Sequence, residues 1–291
     1  MTNLACIPAF NEGKVIGNVI KNVLQYVDNV IVCDDGSTDN TYVEAKKAGA
    51  EVIQHEKNLG KGAAMRTLFN FVKNKNFDAM ITIDGDGQFF PKEIPKLINP
   101  IIDEKMDIVI GYRSNKDEMP SYRKIGNKVL DSMTNLASEL PFRDTQSGFR
   151  SYSKKAISVI TFQTDGFGAD SEILIDASRK NLRIDEVGVN VRYNTGGKTS
   201  TKDPISHTSE VVTSLIESIA IRHPLKYLGL PGFLLIIIGI SFGIWGILVF
   251  NEVRSFPIFN LVIGVGSTLL GAMFLLMSVV LYGINKIQIK N

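Results

Sequence analysis

Residues 81–89 read Ile81-Thr82-Ile83-Asp84-Gly85-Asp86-Gly87-Gln88-Phe89, an apolar run that ends in two acidic residues spaced two apart. Because alternate side chains of a strand point to opposite faces, the carboxylates of Asp84 and Asp86 converge only if the strand ends at this point. Gly85 and Gly87 permit the sharp turn that such an ending needs. The stretch therefore predicts a buried strand that closes in an acidic turn.

The oxygen atoms of this turn are of the kind that bind hard divalent cations. The carboxylates of Asp84 and Asp86 and the side-chain carbonyl of Gln88 suit Mg²⁺ or Mn²⁺, which usually complete their coordination with water and substrate phosphates. Aspartate and glycine are also common in turns for purely local reasons. Two interpretations of this stretch stay open: a metal site that holds a diphosphate, and an ordinary acidic turn after a buried strand.

Strands and helices alternate on either side of this stretch. Short apolar runs predict strands at residues 4–7, 30–33, 51–54 and 79–83, with segments of helical spacing between them. This alternation predicts a parallel sheet with helices on both faces, in which ligands bind beyond the carboxyl ends of the strands. Three acidic residues fall at such ends and favour a ligand site over an ordinary turn: Asp35, Asp84 and Asp86.

Basic residues follow the next predicted elements in a similar way. Arg113 comes directly after a predicted strand at residues 108–111. Arg123 and Asn127 are four residues apart at the start of a predicted helix, so they share one helix face. Arginine is usually a surface residue, but these positions favour a phosphate-binding role.

Several other polar residues have more than one interpretation. Asp170 and Glu172 fit a pair of sugar ligands and the capped start of a helix equally well. His55 carries no sequence signal of a partner. His207 and His223 fit an interfacial or structural role better than a catalytic one.

The composition sets outer bounds on function. The chain has 291 residues with 32 Lys and Arg against 30 Asp and Glu, so its bulk charge argues against a nucleic-acid partner. Cys6 and Cys33 lie in apolar runs, which predicts reduced core residues rather than a disulfide framework or a metal site. No secretory signal is expected at Met1, because a strand and a polar turn follow it almost directly.

The last quarter of the chain is strongly apolar. From Leu225 onward the charged residues are Lys226, Glu252, Arg254, Lys286 and Lys290. Residues 228–250 and 258–284 are each longer than the about 20 apolar residues needed to cross a bilayer. A pair of buried helices in a soluble core is the alternative, which the length and the lack of polar faces disfavour. Five glycines fit the small-residue packing of membrane helices: Gly239, Gly243, Gly246, Gly264 and Gly271.

The flanks of this apolar pair predict its orientation. Basic residues precede the first span and follow the second, and by the positive-inside rule both termini and the N-terminal domain lie in the cytoplasm. Residues 205–226 carry apolar residues at helical spacing directly ahead of the first span. This pattern predicts an amphipathic helix on the cytoplasmic membrane surface, with a core-packing helix as the alternative.

Six short motifs together carry a family resemblance: Ile7-Pro8-Ala9-Phe10-Asn11-Glu12, Asp34-Asp35-Gly36-Ser37-Thr38-Asp39, Asp84-Gly85-Asp86-Gly87-Gln88, Gly111-Tyr112-Arg113, Arg123 with Asn127, and Gln146-Ser147-Gly148-Phe149. In this order and spacing, over about residues 4–200, the chain resembles family 2 glycosyltransferases of the GT-A fold. Within them it resembles the dolichyl-phosphate (polyprenyl-phosphate) hexose synthases. The resemblance implies a Rossmann-like α/β fold with a mostly parallel sheet and helices on both faces. It also implies a catalytic domain at 1–204, the interface helix at 205–226 and a transmembrane hairpin at 227–291.

The resemblance implies a role for individual residues. Asp35 is implied to accept a hydrogen bond from the base, and the residues implied to bind the nucleotide sugar are Pro8, Ala9, Glu12, Asp35, Lys61, Asp84, Ser147 and Lys198. The ligands implied for Mg²⁺ or Mn²⁺ are Asp84, Asp86 and Gln88. The acceptor phosphate is implied at Arg113, Arg123 and Asn127, and the catalytic set is Asp86, Arg113, Arg123 and Gln146. The chain departs from the family pattern at Gly13, where a second Glu is commoner, and at Lys198 and Lys202.

The implied reaction is a metal-dependent, inverting transfer of one hexose from a nucleotide-diphosphate sugar to dolichyl or another polyprenyl phosphate at the cell membrane. GDP-mannose, UDP-glucose and UDP-N-acetylglucosamine all stay open as donors. The alternatives are an undecaprenyl-phosphate transferase for cell-envelope modification and a membrane-tethered binder of nucleotide sugars without turnover. A processive polysaccharide synthase is disfavoured, because such relatives carry Gln-x-x-Arg-Trp and the one tryptophan here, Trp245, lies inside a span. Oligomers through the membrane helices are compatible with the sequence.

Overall fold

The computed structural model describes residues 2–115, 121–166, 168–192 and 224–288 of the chain. These residues form two compact units, one within residues 2–192 and one within residues 224–288. The predicted interface helix at 205–226 lies outside the described residues except for its last three positions. Lys198 and Lys202 lie outside them as well.

The N-terminal unit is built on a seven-stranded sheet. Its strands are β1 Asn3–Ala9, β2 Asn29–Asp34, β3 Glu51–Gln54, β4 Ala79–Thr82, β5 Ile108–Arg113, β6 Arg150–Ser153 and β7 Ile184–Val189. They are ordered β3-β2-β1-β4-β6-β5-β7. The sheet is parallel except at β6, which runs antiparallel to both β4 and β5. The mostly parallel sheet is therefore confirmed.

Strand β6 is the element that the apolar pattern does not predict. It reads Arg150-Ser151-Tyr152-Ser153 and has no apolar run, yet its first three residues are buried. Hydrogen bonds replace apolar contacts here, as when the Ser151 hydroxyl donates to the Leu97 carbonyl at 2.5 Å. Burial of polar groups of this kind depends on partners from distant segments, so local periodicity does not reveal it.

Seven helices accompany the strands in the described part of this unit. They are α1 Ile16–Val23, α2 Thr41–Lys47, α3 Lys61–Val72, α4 Ile94–Ile102, α5 Ser121–Ser138, α6 Lys154–Val159 and α7 Ala169–Arg179. Alternate residues of β1 enter two separate apolar clusters, with Cys6 in the cluster under α3 and α7, and Ile7 in the cluster under α1 and α4. The helices thus cover both faces of the sheet, as predicted.

The strand order reverses at β1, which fixes the place of the site. β1 pairs in parallel with β2 on one side and with β4 on the other. In sheets of this kind the crevice beyond the carboxyl ends of such strands is where ligands bind. Ala9 ends β1, Asp35 follows β2, and the acidic pair Asp84 and Asp86 follows β4, so all four lie at one edge.

The C-terminal unit consists of a π-helical turn Leu225–Gly229 and two helices, α8 Leu230–Val253 and α9 Ile258–Gln288. The helices pack through small residues, as the sequence predicts. A Cβ atom at Gly239 would lie 2.7 Å from the Gly264 carbonyl oxygen, and one at Gly271 would lie 2.5 Å from that of Gly232. Close approach of two backbones requires glycine at these contacts.

Candidate active site

Hydrogen bonds join the loop between β1 and α1 to the segment that leads from β2 into α2. The Glu12 amide donates to the Thr41 hydroxyl at 2.8 Å, and the Gly13 amide donates to Asp39 Oδ2 at 3.0 Å. A Cβ atom at Gly13 would lie 3.0 Å from the same Asp39 oxygen. The departure from the family pattern at Gly13 therefore fits the tight contact between these two loops.

Asp35 is buried and lies at the junction of three segments. Its amide donates to the Ala9 carbonyl at 2.8 Å, and its carboxylate lies 2.7 Å from His55 Nδ1. The same carboxylate accepts from the amides of Leu59 at 3.0 Å and Gly60 at 2.8 Å. His55, for which the sequence carries no signal of a partner, therefore has partners in the folded chain. Its partners come from β2, the following loop and α3, which are separate segments of the chain.

Lys61 joins two acidic residues across the crevice. Its Nζ lies 3.0 Å from Asp84 Oδ1 and 3.0 Å from Asp170 Oδ2. Burial acts to lower the pKa of Lys61, but the charges of Asp170 and Asp84 outweigh it and raise that pKa above its ordinary range. The Asp170 side chain is only 5% exposed and takes part in this ion pair, whereas the N-cap residue of α7 is Gly168.

The carboxylates around Asp86 crowd negative charge together. Burial and the neighbouring Asp84 raise the pKa of Asp86 to about 6. Burial, Asp86, Asp39 and Asp84 raise the pKa of Glu12 to about 7. Like charges in a partly desolvated space disfavour ionisation, and a divalent cation bound there would relieve their repulsion. The charge at this edge of the sheet therefore fits the predicted metal site.

The residues present also match the way Mg²⁺ and Mn²⁺ are usually held. Among the described residues, no three Asp, Glu, His or Cys side chains form a cluster that could hold a metal ion. A cation at Asp84 and Asp86 would then take its remaining ligands from Gln88, water and a bound phosphate, which is common for Mg²⁺. The backbone amide of Gln88 donates to Asp86 Oδ1 at 2.9 Å and thereby orients that carboxylate.

The loop of residues 144–148 lies directly against the acidic pair. A Cβ atom at Gly148 would lie 2.6 Å from Asp84 Oδ2 and 2.8 Å from Lys61 Nζ. The Gly148 carbonyl accepts a hydrogen bond from the Thr82 hydroxyl at 2.8 Å. A side chain at this position would therefore displace the Asp84 carboxylate or the Lys61 ammonium group.

A fully buried arginine holds this loop in shape. Arg150 donates to the carbonyl oxygens of Ser147 at 2.8 Å, Asp170 at 2.8 Å and Thr145 at 2.7 Å. Sequence reasoning did not single out Arg150. Its one sequence signal is that it is the only charged residue in the stretch 145–153. Its role becomes apparent only from the three carbonyl oxygens that it contacts in the folded chain.

Two residues of the predicted site take part in the loop's internal bonds: Gln146 from the implied catalytic set and Ser147 from the implied nucleotide-sugar set. Gln146 Nε2 lies 2.8 Å from the Ser171 hydroxyl. The buried Ser147 hydroxyl donates to the Gly111 carbonyl at 2.6 Å. These bonds orient the loop beside Asp84. The catalytic role implied for Gln146 and the nucleotide-sugar contact implied for Ser147 stay predictions.

Arg113 is the last residue of β5 rather than the residue after it. Its Nε and Nη2 atoms form a paired contact with the buried Asp144 carboxylate at 2.8 and 2.7 Å. Asp144, which sequence reasoning did not single out, therefore positions Arg113. Arg123 and Asn127 lie in α5 as predicted, and the role of these residues toward the acceptor phosphate stays a prediction.

Comparisons with known proteins identify the family to which the chain belongs. A model of the family described as Glycosyl transferase family 2 matches residues 5–161. Over 211 residues the chain is 36% identical to a Methanococcus voltae protein named UDP-N-acetylglucosamine--dolichyl-phosphate N-acetylglucosaminyltransferase. The aligned region covers 64% of this chain and 84% of that protein. It is 28% identical over 213 residues to a Haloferax volcanii protein named dolichyl-phosphate hexose transferase, covering 72% and 90%.

A solved structure supports the fold. The crystal structure of glucosyl-3-phosphoglycerate synthase from Mycobacterium tuberculosis, in complex with Mn²⁺, UDP and glucosyl-3-phosphoglycerate, superposes with a TM-score of 0.60 at 23% identity, covering 75% of this chain and 80% of that one. This likeness shows the GT-A fold. Because the family model spans more than half of its residues, this chain belongs to glycosyl transferase family 2 and is a glycosyltransferase.

Proposed function

We propose that the protein transfers one hexose or N-acetylhexosamine from a nucleotide-diphosphate sugar to dolichyl phosphate or another polyprenyl phosphate. The observation that carries the proposal is the pairing of Lys61 with Asp84 and Asp170 at the switch point of the sheet, in a chain that also has two long apolar helices. The relatives from Methanococcus voltae and Haloferax volcanii are named for dolichyl phosphate, which supports the choice of acceptor.

The chemistry of the acceptor explains why no strong general base is required. A phosphate monoester has a second pKa near 6, so its attacking oxygen is already largely anionic at neutral pH. That oxygen forms the new bond to the anomeric carbon while the bond to the nucleoside diphosphate breaks and the electron pair leaves with the diphosphate. One in-line displacement inverts the anomeric configuration, so an α-linked donor would yield a β-linked lipid-phosphate sugar.

The main obstacle is the repulsion between acceptor phosphate and donor diphosphate. At about 4 Å and an effective dielectric constant of about 20, each pair of unit charges repels by about 4 kcal/mol. Arg113, held by Asp144, would place positive charge beside the acceptor phosphate. Asp84, Asp86 and Gln88 would hold Mg²⁺ or Mn²⁺, which would supply charge neutralisation on the leaving diphosphate.

The test is a transfer assay with the full chain in detergent, Mn²⁺ and dolichyl phosphate. GDP-mannose, UDP-glucose and UDP-N-acetylglucosamine are offered separately, and mass spectrometry detects a glycosylated lipid phosphate. We expect product from one donor and its disappearance with EDTA. Asp86→Asn should lower the rate at least about 100-fold, whereas the same change at the exposed Asp103 should not.

Two outcomes would contradict the proposal. Product formed equally well by Asp86→Asn would remove the acidic pair from the mechanism. Absence of product from all three donors, with undecaprenyl phosphate as well as dolichyl phosphate, while nucleotide binding persists, would favour a binder without turnover. Product with undecaprenyl phosphate alone would keep the reaction and change the lipid.

A further inference from the structure

The carboxylate of Asp35 is held from three directions. Oδ1 lies 2.7 Å from His55 Nδ1 and 3.0 Å from the Leu59 amide, and Oδ2 lies 2.8 Å from the Gly60 amide. A carboxylate has about four acceptor positions, so these donors occupy three of them. The remaining position is on Oδ2. Asp35 is 3% exposed, which leaves room for little more than one donor from outside.

His55 is itself fixed on its other side. Its Nε2 lies 2.9 Å from the Thr67 hydroxyl and 3.5 Å from Cys33 Sγ, and its amide extends the parallel ladder by donating to the Asp34 carbonyl at 2.9 Å. Because a carboxylate only accepts, Nδ1 carries a proton and donates it to Asp35, while Nε2 shares a hydrogen bond with the Thr67 hydroxyl. Contacts on both ring nitrogens therefore fix the orientation of the imidazole.

We propose that His55 is a positioning residue for nucleobase recognition. It would hold Asp35 so that the last acceptor position of Oδ2 faces a ring N–H of the base, beside Ala9 at the end of β1. This inference rests on the proposed function, since it assumes a nucleotide in the crevice. Uracil N3 and guanine N1 carry such a hydrogen, whereas cytosine N3 and adenine N1 present a lone pair that the carboxylate repels.

The arrangement explains why a histidine serves here. The amides of Leu59 and Gly60 hold the carboxylate from one loop, and His55 adds a second donor to Oδ1 from the end of the adjacent strand. An asparagine side chain places its amide nitrogen near the position of Nδ1, and a glutamine side chain places its own near the position of Nε2. These two substitutions therefore separate the bond to Asp35 from the bond to Thr67.

The experiment is calorimetric titration of the full chain in detergent with Mn²⁺ and three probes: UDP, GDP and inorganic pyrophosphate. For the nucleotide that the wild type binds, His55→Ala should weaken binding by about tenfold, the value of about one hydrogen bond to a charged group. Pyrophosphate has no base, so its binding should not change. His55→Asn should bind as the wild type does, and His55→Gln as weakly as His55→Ala.

A methylated probe provides a second arm. The 3-methyl derivative of UDP, or the 1-methyl derivative of GDP, lacks the ring hydrogen, so His55→Ala should not weaken its binding further. Gln54→Leu is the matched control, because Gln54, the residue before His55, donates at 3.0 Å to Oδ2 of Asp34, the residue before Asp35. We expect that variant to bind both nucleotide and pyrophosphate as the wild type does.

The outcomes separate the inference from the function on which it rests. If the wild type binds neither UDP nor GDP, the proposed function fails, and the inference fails with it. If the wild type binds nucleotide but His55→Ala weakens nucleotide and pyrophosphate equally, His55 only stabilises the fold. Equal binding by His55→Asn and His55→Gln would also overturn the inference, and this comparison holds even if His55→Ala does not fold.

Discussion

Single residues set how closely the loops approach the acidic pair. Gly148 has no side chain, and its Cα faces the Asp84 carboxylate and Lys61 Nζ at distances that a Cβ atom would not tolerate. Gly60 combines a φ of 101° with a position against the Asp165 carbonyl. At both positions a side chain would come too close to neighbouring atoms, and the glycines in these motifs reflect that constraint.

Gly148→Ala is expected to abolish donor binding while the domain stays folded. The added methyl group would push the Asp84 carboxylate away from Lys61 and from the predicted cation. The measurement is binding of Mn²⁺ with UDP or GDP by calorimetry. Gly17→Ala is the matched control, because a Cβ there meets only the Glu44 carbonyl at 3.7 Å. Undiminished binding by Gly148→Ala would show that the loop moves away from Asp84 at no cost.

At the level of elements, β6 and the loop before it depend on polar contacts. Arg150 connects β6 with the carbonyl oxygens of Thr145, Ser147 and Asp170, and thereby joins the loop to α7. The unfolding of this domain can be followed with a thiol-reactive dye, because Cys6 and Cys33 are both buried in the sheet. Burial raises the pKa of both thiols, that of Cys33 to about 12, so neither is reactive until the sheet opens.

Arg150→Met should destabilise the domain strongly. Each buried acceptor left without a donor costs roughly 1–3 kcal/mol, so three carbonyls together predict a loss of at least about 3 kcal/mol. For a domain of this size that corresponds to a decrease in Tm of roughly 6–12 °C, measured with the dye. Arg66→Met is the control, since Arg66 is half-exposed and should cost less than about 1 kcal/mol. A similar Tm for both variants would contradict the prediction.

An ion pair just before β5 and β7, between Asp107 and Arg183, predicts that the stability of the domain depends on pH. Burial acts to raise the pKa of Asp107, but hydrogen bonds from Arg183 outweigh it and lower that pKa below its usual range. Because the folded pKa is depressed, the stabilisation is complete above the unfolded pKa of about 3.9 and is lost as the pH falls through the folded value.

Asp107→Asn should therefore be less stable than the wild type at pH 7, and the difference should shrink toward pH 3. Thermal unfolding of both proteins at a series of pH values measures it. Asp103→Asn, at an exposed position, should show no such convergence. A difference between Asp107→Asn and the wild type that does not vary with pH would show that the charge of Asp107 contributes nothing.

In the whole molecule, the C-terminal unit differs in kind from the sheet domain. An 18-residue stretch within each of the segments Leu225–Val253 and Ile258–Ile284 has a mean hydropathy of 2.7 and 2.1, respectively, and both segments are long enough to cross a bilayer. Large apolar side chains cover their outer surface, among them Ile247 at 64% and Leu276 at 68% exposure. An apolar surface of this extent is characteristic of contact with lipid, and we propose that both helices span the membrane.

The proposed orientation places the connector between α8 and α9 outside and the sheet domain in the cytoplasm. In intact cells a membrane-impermeant maleimide should label Ser255→Cys, at an exposed connector position. It should label Ser158→Cys, exposed on the sheet domain, only after permeabilisation. Labelling of Ser158→Cys alone in intact cells would reverse the orientation. The native cysteines contribute little background, because both are buried.

Much of this architecture is predictable from local sequence patterns. The alternation of short apolar runs with helical segments is sufficient for the parallel part of the sheet, because each strand and helix carries its own periodicity. The acidic turn after β4 and the two apolar segments are predictable for the same reason. Strand β6 is not, because its burial depends on Arg150 and Ser151 meeting acceptors from other parts of the chain.

The site, too, has features that local sequence patterns predict and features that depend on the tertiary structure. The position of Asp35, Asp84 and Asp86 at the carboxyl edge follows from the order of elements and the chemistry of their side chains. The bonds of Asp35 to His55, of Lys61 to Asp84 and Asp170, and of Arg113 to Asp144 do not follow. They join residues from separate segments, and a hydrogen bond depends on distance and direction that exist only after the chain has folded. Local patterns thus specify which residues reach the crevice, and the packing of distant segments specifies which of them touch.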